Sequence, residues 1–318
     1  MKNASSRAMR IKVKSGYQDF QIDRNRIRKL GLHHIGPFED LELIFPESPT
    51  GRTEIHILTG PNGSGKSTIL AAIARSRGKN ETRHGRVKET LSRMNGESLA
   101  KMEGVIREIT AIDLKFIVQA EPLTVLAKIG GTKHAMDDLP DGLKSIISRI
   151  GDLLMDANLI NPKDPILLLD DLDTHLHPQW QRRILPAIQK LFTKAQVFVS
   201  THSPFVVNSI SGAQVYCFDL DKNGRAYLRK RTESKAGSSC AWVLDDIFQV
   251  EEFDVQTESE LDTFYTLRDK LLADEGSDEA AFIAQARRLA GKSIELRDMI
   301  GREIRQCSRV LGKELSLS

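Results

Sequence analysis

A glycine-rich segment in the first quarter of the chain has the composition of a phosphate-binding loop. Residues 60–67 read GPNGSGKS, which matches the spacing GxxxxGKS or GxxxxGKT. In this pattern the glycines let backbone N–H groups approach phosphates at a helix N-terminus, the lysine neutralises the β- and γ-phosphates, and the hydroxyl binds Mg²⁺. A strand-like segment before the loop and a helical pattern after it argue against a chance turn. The predicted nucleotide contacts are Gly60, Asn62, Gly63, Ser64, Gly65, Lys66, Ser67 and Thr68, with Ser67 also a magnesium ligand.

Two adjacent carboxylates follow an apolar segment in the second half of the chain. Residues 165–171 read PILLLDD, which predicts a buried strand that ends at Asp170 and Asp171. Open α/β sheets bind ligands beyond the carboxyl ends of their strands. We therefore predict that Asp170 lies near the magnesium ion and that Asp171 positions an attacking water. The structural alternative, two acidic residues that open a loop, is weakened by the phosphate-type loop upstream.

A histidine follows the next apolar segment. Residues 197–200 read VFVS and THSP follows directly, which places His202 just beyond the end of another predicted strand. A single histidine is more often structural than catalytic. Its position, after the strand that follows the acidic one, nevertheless favours a contact between the imidazole and a γ-phosphate.

The surrounding pattern predicts the elements that would hold these groups. Strand-like segments and amphipathic helices together indicate an α/β fold with a mixed sheet, antiparallel N-terminal strands and a helical C-terminal region. Pro186 lies inside one predicted helix and should kink it. The predicted strands cover residues 27–45 with a break at Gly36 and Pro37, 55–60, 112–118, 165–170 and 197–200, a hairpin turns at Asn223 and Gly224, and helices cover 142–156, 178–192 and much of 257–304.

Composition restricts the class of protein. The chain has 318 residues, 40% hydrophobic and 28% charged, which suits one large globular domain or one domain with an appendage. A formal net charge of +3 is too small to imply nucleic acid or membrane as an obligate partner. The 3 cysteines lack paired spacing and predict free thiols in a reducing compartment. Because no apolar segment is long enough to span a bilayer, we expect a cytoplasmic protein without a membrane partner.

The motifs agree in kind and order with those of a known family. The segments GPNGSGKST, LPDGLKSIISRIGDLL, ILLLDDLDTHLHPQWQ and FVSTHSP resemble the ABC-type P-loop ATPases, which include structural-maintenance-of-chromosomes and DNA-repair ATPases. The closer resemblance is to a bacterial branch labelled AAA, found in OLD nucleases and Septu anti-phage ATPases. It covers roughly residues 25 to 230 and implies ATP and Mg²⁺ as ligands.

The resemblance implies a composite site in a dimer. The segment LPDGL would be the ABC signature, through which Asp141 and Gly142 reach the γ-phosphate of a partner copy, so that two sites form head to tail. Residues 175–177 would be the D-loop at the dimer seam. Asp171 stands where most of the family has glutamate, and Pro140 replaces the signature serine. These departures predict slow hydrolysis of ATP.

The rest of the sequence narrows the kind of ATPase. There is no heptad pattern for long coiled-coil arms, and nothing after about residue 241 offers the carboxylates of a nuclease domain. The resemblance then implies the ATPase subunit of an anti-phage defence complex, a homodimer or higher oligomer whose effector, such as an HNH nuclease, is a separate protein. A nucleotide-gated scaffold that does not hydrolyse ATP and a DNA-repair or maintenance ATPase are the alternatives.

We expect three segments along the chain. Residues 1–24 form an N-terminal extension, residues 25–240 form the ATPase domain with a polar insertion at 76–104, and residues 241–318 form a helical region. The helical region either carries a partner or dimer surface or only covers the sheet. The insertion is basic and includes Arg83, Arg86 and Lys88. A solvated polar loop is the favoured interpretation of this insertion, and a contact with DNA phosphates is the alternative.

Overall fold

The structure, a computed structural model, describes residues 7–13, 16–48, 51–76, 87–119, 124–160, 165–251, 253–273 and 278–316. The chain forms two compact units, Met1–Phe248 and Gln249–Ser318. The strands are β1 (Arg7–Val13), β2 (Gly16–Asp23), β3 (Arg26–Ile35), β4 (Phe38–Ile44), β5 (Glu54–Thr59), β6 (Leu114–Gln119), β7 (Thr124–Ile129), β8 (Thr132–Ala135), β9 (Ile166–Leu169), β10 (Gln196–Ser200), β11 (Gln214–Leu220) and β12 (Ala226–Glu233). The helices are α1 (Lys66–Ser76), α2 (Val87–Ser92), α3 (Gly96–Thr110), α4 (Asp141–Ile160), α5 (Pro178–Leu191), α6 (Pro204–Val207), α7 (Cys240–Val243), α8 (Val255–Ala273), α9 (Glu279–Ala290) and α10 (Ile294–Leu311).

The first unit opens with an antiparallel sheet in the order β1-β2-β3-β4. In β4, Phe38, Leu41 and Leu43 are buried while the charged residues between them are exposed, the alternation of a strand with one covered face. The predicted break at Gly36 and Pro37 is confirmed as the turn between β3 and β4. Strands β1 and β2 were not predicted, and they lie in the stretch of residues 1–24 that was taken as an extension.

The mixed sheet that follows has the order β12-β11-β5-β10-β9. Strands β11, β5, β10 and β9 are parallel, and β12 joins antiparallel through the predicted hairpin. Strands β5 and β10 are buried along their whole length, as central strands of a parallel sheet are. Because β10 lies between β5 and β9, the carboxyl ends of the three strands that carry the predicted site lie side by side.

Two apolar cores cover the two faces of the mixed sheet. In β10, Val197 and Val199 belong to one core and Phe198 to the other, so the cores lie on opposite faces. The first core includes the buried sides of α3, α4 and α5 and of the small antiparallel sheet β6-β7-β8. The second includes α1 and the β1-β2-β3-β4 sheet. The end of the sheet that carries the predicted site is therefore covered by an apolar core on each face.

The expectation of a solvated polar loop is wrong for most of residues 87–104. Helices α2 and α3 occupy this stretch, and α3 buries Met102, Val105, Ile106 and Ile109 on one face. The many charges of this stretch obscure the 3–4 residue spacing of these apolar side chains, which is the spacing of an amphipathic helix. Arg83 and Arg86 lie outside the described residues. Lys88 forms an ion pair of 2.6 Å with Asp137, so its charge is partly neutralised.

The second unit consists of α8, α9 and α10, which share a core around Phe264, Phe282 and Ile300. The helical character of this region was predicted. The unit begins after the expected boundary at residue 241, because Val243 and Ile247 belong to the core of the first unit. Among the helices that the structure describes, none is long and apolar enough to cross a lipid bilayer.

Candidate nucleotide-binding site

The glycine-rich loop joins β5 to α1, the strand and helix that the motif requires. Gly60, Gly63 and Gly65 have φ values of 147°, 83° and 83°, a region that favours glycine. A Cβ atom on Gly65 would lie 2.4 Å from the ring of Phe38, and one on Gly60 would lie 2.5 Å from the carbonyl oxygen of Phe218. Backbone conformation and close packing therefore both require glycine at these two positions.

Lys66 begins α1 and is only 5% exposed. Its Nζ donates hydrogen bonds of 2.9 Å to the carbonyl oxygens of Gly60 and Pro61, so the ammonium lies over the loop. Burial lowers the pKa of Lys66, and the carboxylates of Asp171, Asp170 and Asp173 oppose this shift. The ammonium of Lys66 and the carboxylates of Asp170 and Asp171 thus lie close enough to interact electrostatically.

The other predicted loop residues carry groups that can bind a phosphate or a magnesium ion. Asn62, Gly63 and Ser67 are exposed, and Thr68 is partly buried. The Oγ of Ser64 is buried and has no hydrogen-bond partner among the described atoms. The first N–H groups of α1 have no acceptor within the helix, and together with the helix dipole they favour an anion. A triphosphate fits this loop.

Asp170 and Asp171 follow β9 at the same edge of the sheet. The hydroxyl of Ser200, the last residue of β10, donates to Oδ1 of Asp170 and accepts a 2.7 Å hydrogen bond from the N–H of Asp171. Asp171 is exposed and adopts a left-handed backbone with φ of 44°. Its carboxylate is therefore free of packing and available to solvent at the site.

The segment after β10 is held by a third carboxylate that the sequence analysis did not identify. Asp173 accepts hydrogen bonds from the hydroxyl of Thr201 and, at 3.1 Å, from the backbone N–H of His202. Gln181 of α5 donates to the carbonyl oxygen of Asp173 at 3.2 Å and accepts from the hydroxyl of Ser203 at 2.6 Å. The side chain of His202 remains exposed. The structure thus brings His202 beside the carboxylate segment on neighbouring strand ends.

Asp141 and Gly142, predicted as the contact to a partner's nucleotide, begin α4. A Cβ atom on Gly142 would lie 2.7 Å from the carbonyl oxygen of His175 and 3.0 Å from the ring of Trp180. Asp141 is exposed and pairs with Lys144 at 2.8 Å, and the hydrogen bond from Lys144 lowers the pKa of Asp141. The start of α4 therefore packs against His175 and Trp180, while the role of Asp141 and Gly142 in nucleotide binding stays a prediction.

The site offers few protein ligands for a magnesium ion, which suits the preference of Mg²⁺ for phosphate oxygens and water. Ser67 offers a hydroxyl and Asp170 a carboxylate, and Mg²⁺ commonly takes one or two protein ligands besides phosphate oxygens and water. Within the described parts of the chain, no group of three or more histidine, cysteine, aspartate or glutamate side chains could hold a metal ion. The donor set suits a nucleotide-bound Mg²⁺ better than a metal held by protein alone.

A cavity of about 330 Å³ lies at the turn between β3 and β4. A Cβ atom on Gly36, one of its lining residues, would lie 3.1 Å from the side chain of Thr68, so the cavity is close to the end of the glycine loop. Neither the cavity nor the nearby ion pair between Arg225 and Glu39 was predicted. The cavity is lined by His34, Gly36, Pro37, Phe38, Glu39 and Arg225.

The fold and the site together are those of a P-loop nucleotide-binding domain: a glycine loop, two carboxylates and a histidine follow adjacent strands of a mixed sheet. Comparison with known proteins agrees. A family model described as "AAA domain" matches residues 25–77, and one described as "AAA domain, putative AbiEii toxin, Type IV TA system" matches residues 130–208. The chain carries an AAA-type ATPase domain and has homologues among retron ATPases and Septu PtuA proteins.

These relatives are similar over part of their length. "Retron Ec83 probable ATPase" of Escherichia coli is 34% identical over 140 residues, which are 42% of this chain and 25% of that protein. "Septu protein PtuA" of Bacillus thuringiensis is 24% identical over 141 residues, 42% of this chain and 35% of that protein. Among solved structures, the SMC head bound to the C-winged helix domain of ScpA aligns with a TM-score of 0.48 and 12% identity over 65% of this chain and 97% of that one.

Proposed function

We propose that this protein binds ATP with Mg²⁺ and hydrolyses it slowly, as a head-to-tail dimer that forms the ATPase subunit of an anti-phage defence complex. One observation carries the chemical part of the proposal. The phosphate-type loop, Asp170 with Asp171, and His202 follow β5, β9 and β10, whose carboxyl ends are neighbours in one sheet. This is where an open α/β sheet binds its ligand.

The loop would bind the triphosphate through backbone N–H groups and the ammonium of Lys66. On binding, Lys66 exchanges the carbonyl oxygens of Gly60 and Pro61 for phosphate oxygens. Ser67 and Asp170 would hold Mg²⁺, which neutralises charge on the β- and γ-phosphates when bound. The nucleoside would occupy the cavity lined by His34 and Arg225 beside Thr68.

Asp171 would orient the water that attacks the γ-phosphorus. A bond forms between the water oxygen and phosphorus, the bond to the β–γ bridging oxygen breaks, and ADP, phosphate and one proton are released. Asp171 is exposed at the strand end and is one methylene shorter than glutamate. A shorter reach leaves the water less well placed, which supports slow turnover. His202 would contact the γ-phosphate from the neighbouring strand.

The dimer and the defence role rest on similarity. The first residues of α4, Asp141 and Gly142, would contact the nucleotide of a second copy, as the signature does in the family that this chain resembles. The retron and Septu homologues support a role in defence, with an effector such as an HNH nuclease supplied by another protein. Direct contact with DNA has little support, because Lys88 is paired with Asp137.

Steady-state ATP hydrolysis over a range of protein concentrations tests the proposal. We expect turnover per chain to rise with concentration until a dimer is saturated, and to vanish in Lys66→Ala, which loses the phosphate contact. Lys190→Ala, at an exposed lysine of α5, is the matched control and should leave turnover unchanged. Turnover per chain that is independent of concentration would contradict the composite dimer site.

A nucleotide-gated scaffold is the second candidate, favoured by Asp171 and Pro140 at positions where the family has glutamate and serine. Such a protein binds ATP tightly, forms the dimer and does not release phosphate. Equilibrium binding of a fluorescent ATP analogue, measured beside phosphate release, separates the two candidates. Binding that Lys66→Ala abolishes, without phosphate release at any protein concentration, would establish the scaffold.

A further inference from the structure

Arg149, on α4, reaches the backbone of both candidate carboxylates. Its NH1 donates a 2.8 Å hydrogen bond to the carbonyl oxygen of Asp170, and its NH2 donates one of 2.8 Å to the carbonyl oxygen of Asp171. Its Nε donates to the hydroxyl of Ser145 at 3.1 Å, one turn earlier on the same helix. The guanidinium is thus fixed to its own helix by one edge and to the carboxylate segment by the other.

The backbone that Arg149 contacts is in an unfavourable conformation. Asp171 has φ of 44°, in the left-handed region that most residues with a Cβ atom avoid and that aspartate enters more often than they do. Its N–H is held by the hydroxyl of Ser200 at 2.7 Å and its carbonyl oxygen by Arg149. Unfavourable backbone conformations persist where the surroundings hold them in place. Here the two contacts come from different elements, β10 and α4.

Arginine suits this task better than lysine. The guanidinium is planar, keeps its charge and presents donors in a fixed fork, so that it can bind two carbonyl oxygens at once. Burial lowers the pKa of Arg149, while the carboxylates of Asp173, Asp171 and Asp170 oppose that shift. The surrounding negative charges therefore help to retain a charged side chain in a partly buried place.

We propose that Arg149 is a positioning residue: it holds the left-handed turn at Asp171 and so sets the direction of that carboxylate. Because Arg149 lies on the helix that begins at Asp141 and Gly142, displacement of α4 by a second copy would move the carboxylate as well. The inference rests on the proposed function, in which Asp171 orients the attacking water.

Arg149→Lys, which keeps the charge and loses the fork, is the main variant. We expect kcat to fall by roughly 10- to 100-fold, the range for a small misplacement of a reacting group. KM and the affinity for a fluorescent ATP analogue should change by less than about twofold, because Arg149 does not touch the phosphate loop. Arg183→Lys, at an exposed arginine of α5, is the matched control and should leave all three values unchanged.

Two further measurements separate positioning from general damage. In an Asp171→Asn background, Arg149→Lys should have little additional effect on kcat, because there is no longer a carboxylate to direct. If Arg149→Lys does not fold, Ser145→Ala, which removes the acceptor of Nε and the 3.4 Å hydrogen bond from Ser145 to the carbonyl oxygen of Thr174, should give a smaller fall in kcat with KM unchanged. An equal fall of kcat in the Asp171 and Asp171→Asn backgrounds would overturn the proposal.

Amide hydrogen exchange in peptides that cover residues 170–176 tests the same idea without turnover. In nucleotide-free protein, Arg149→Lys should speed exchange there and leave peptides that cover 60–76 as in the wild type. A wild type that binds ATP without hydrolysing it would refute the proposed hydrolysis, and the exchange result would still decide whether Arg149 holds the turn. Unchanged exchange in residues 170–176 would overturn the inference.

Discussion

Side-chain length at residue 171 is the residue-scale feature that bears most directly on turnover. The backbone of Asp171 is fixed at its N–H by Ser200 and at its carbonyl oxygen by Arg149. With the backbone held, the reach of the carboxylate depends on the side chain alone. In the proposed site, we expect a longer side chain to bring the carboxylate closer to the γ-phosphate.

Replacement of Asp171 by glutamate should therefore raise kcat. We expect an increase of roughly tenfold, a fraction of the 10²–10⁴ that a well-placed base contributes. Phosphate release at saturating ATP measures it, and Asp171→Asn, which has no base, should be slower than the wild type but still measurable. An unchanged kcat in Asp171→Glu would show that carboxylate reach does not limit hydrolysis.

The sequence could predict the residues whose roles follow from a local motif. The glycine loop, Lys66 and Asp170 are recognisable because their partners are neighbours in sequence or at fixed spacing. The contacts of Arg149, Asp173 and Ser200 could not be predicted, because each joins residues 20 or more apart whose proximity depends on the order of strands. Motifs thus indicated the chemistry, and topology supplied the groups that position it.

At the scale of elements, the spacing of hydrophobic residues predicted strands and helices correctly where apolar residues are frequent. Where charged residues are frequent, the same spacing was obscured. The central positions of β5, β9 and β10 are mostly apolar, and these strands were predicted. Strand β1 carries arginine and lysine at exposed positions, β2 carries two partly buried aspartates, and α3 has glutamates, one lysine and one arginine beside its buried face, so these elements were missed. These elements are stabilised by packing against a neighbouring sheet or helix, and such long-range contacts cannot be predicted from the local sequence.

The contact between the glycine loop and β4 gives a prediction at this scale. Gly63 and Gly65 both have φ of 83°, yet a Cβ atom on Gly63 would meet nothing within 4 Å, while one on Gly65 would lie 2.4 Å from Phe38. Gly63→Ala should cost about 1–2 kcal/mol of unfolding free energy for its backbone conformation. Gly65→Ala should cost about 1–3 kcal/mol more, because the ring must move.

Urea unfolding of the two variants beside the wild type measures the difference. Since the two glycines share one backbone conformation, Gly63→Ala is the matched control for strain alone. Equal losses of unfolding free energy in both variants would show that a Cβ atom at residue 65 does not clash with the ring of Phe38.

For the whole molecule, a buried histidine couples stability to pH. His56 lies in β5, is 1% exposed and is surrounded by the rings of Phe45, Phe198 and Tyr216. Burial lowers its pKa to about 3, and the charges of Arg28 and Arg26 act in the same direction. The folded chain therefore excludes a proton that the unfolded chain, with an ordinary histidine pKa near 6.5, takes up.

The direction of the pH dependence follows from this difference in the pKa of His56 between the folded and unfolded chains. Above about pH 6.5 His56 is neutral in both states and contributes nothing to the pH dependence. As pH falls from about 6.5 towards 3, the unfolded state gains the proton, and the unfolding free energy decreases by up to about 1.4 kcal/mol per pH unit. Chemical denaturation at pH 7, 6, 5.5 and 5 should show a steeper loss for the wild type than for His56→Phe, which keeps an aromatic ring there. Parallel curves for the two proteins would contradict the assignment.

The join between the antiparallel sheet and the mixed sheet has a consequence for motion. The side-chain amide of Gln196 in β10 accepts from the N–H of Ile27 at 2.9 Å and donates to its carbonyl oxygen at 2.8 Å, as a paired strand would. Beside it, Arg26 donates to the carbonyl oxygens of Ala195 and Lys194. A shear of one sheet across the other would have to break all four bonds together, so we expect the two sheets to move as one. In the proposed dimer, any closure on ATP would then take place at hinges outside this seam.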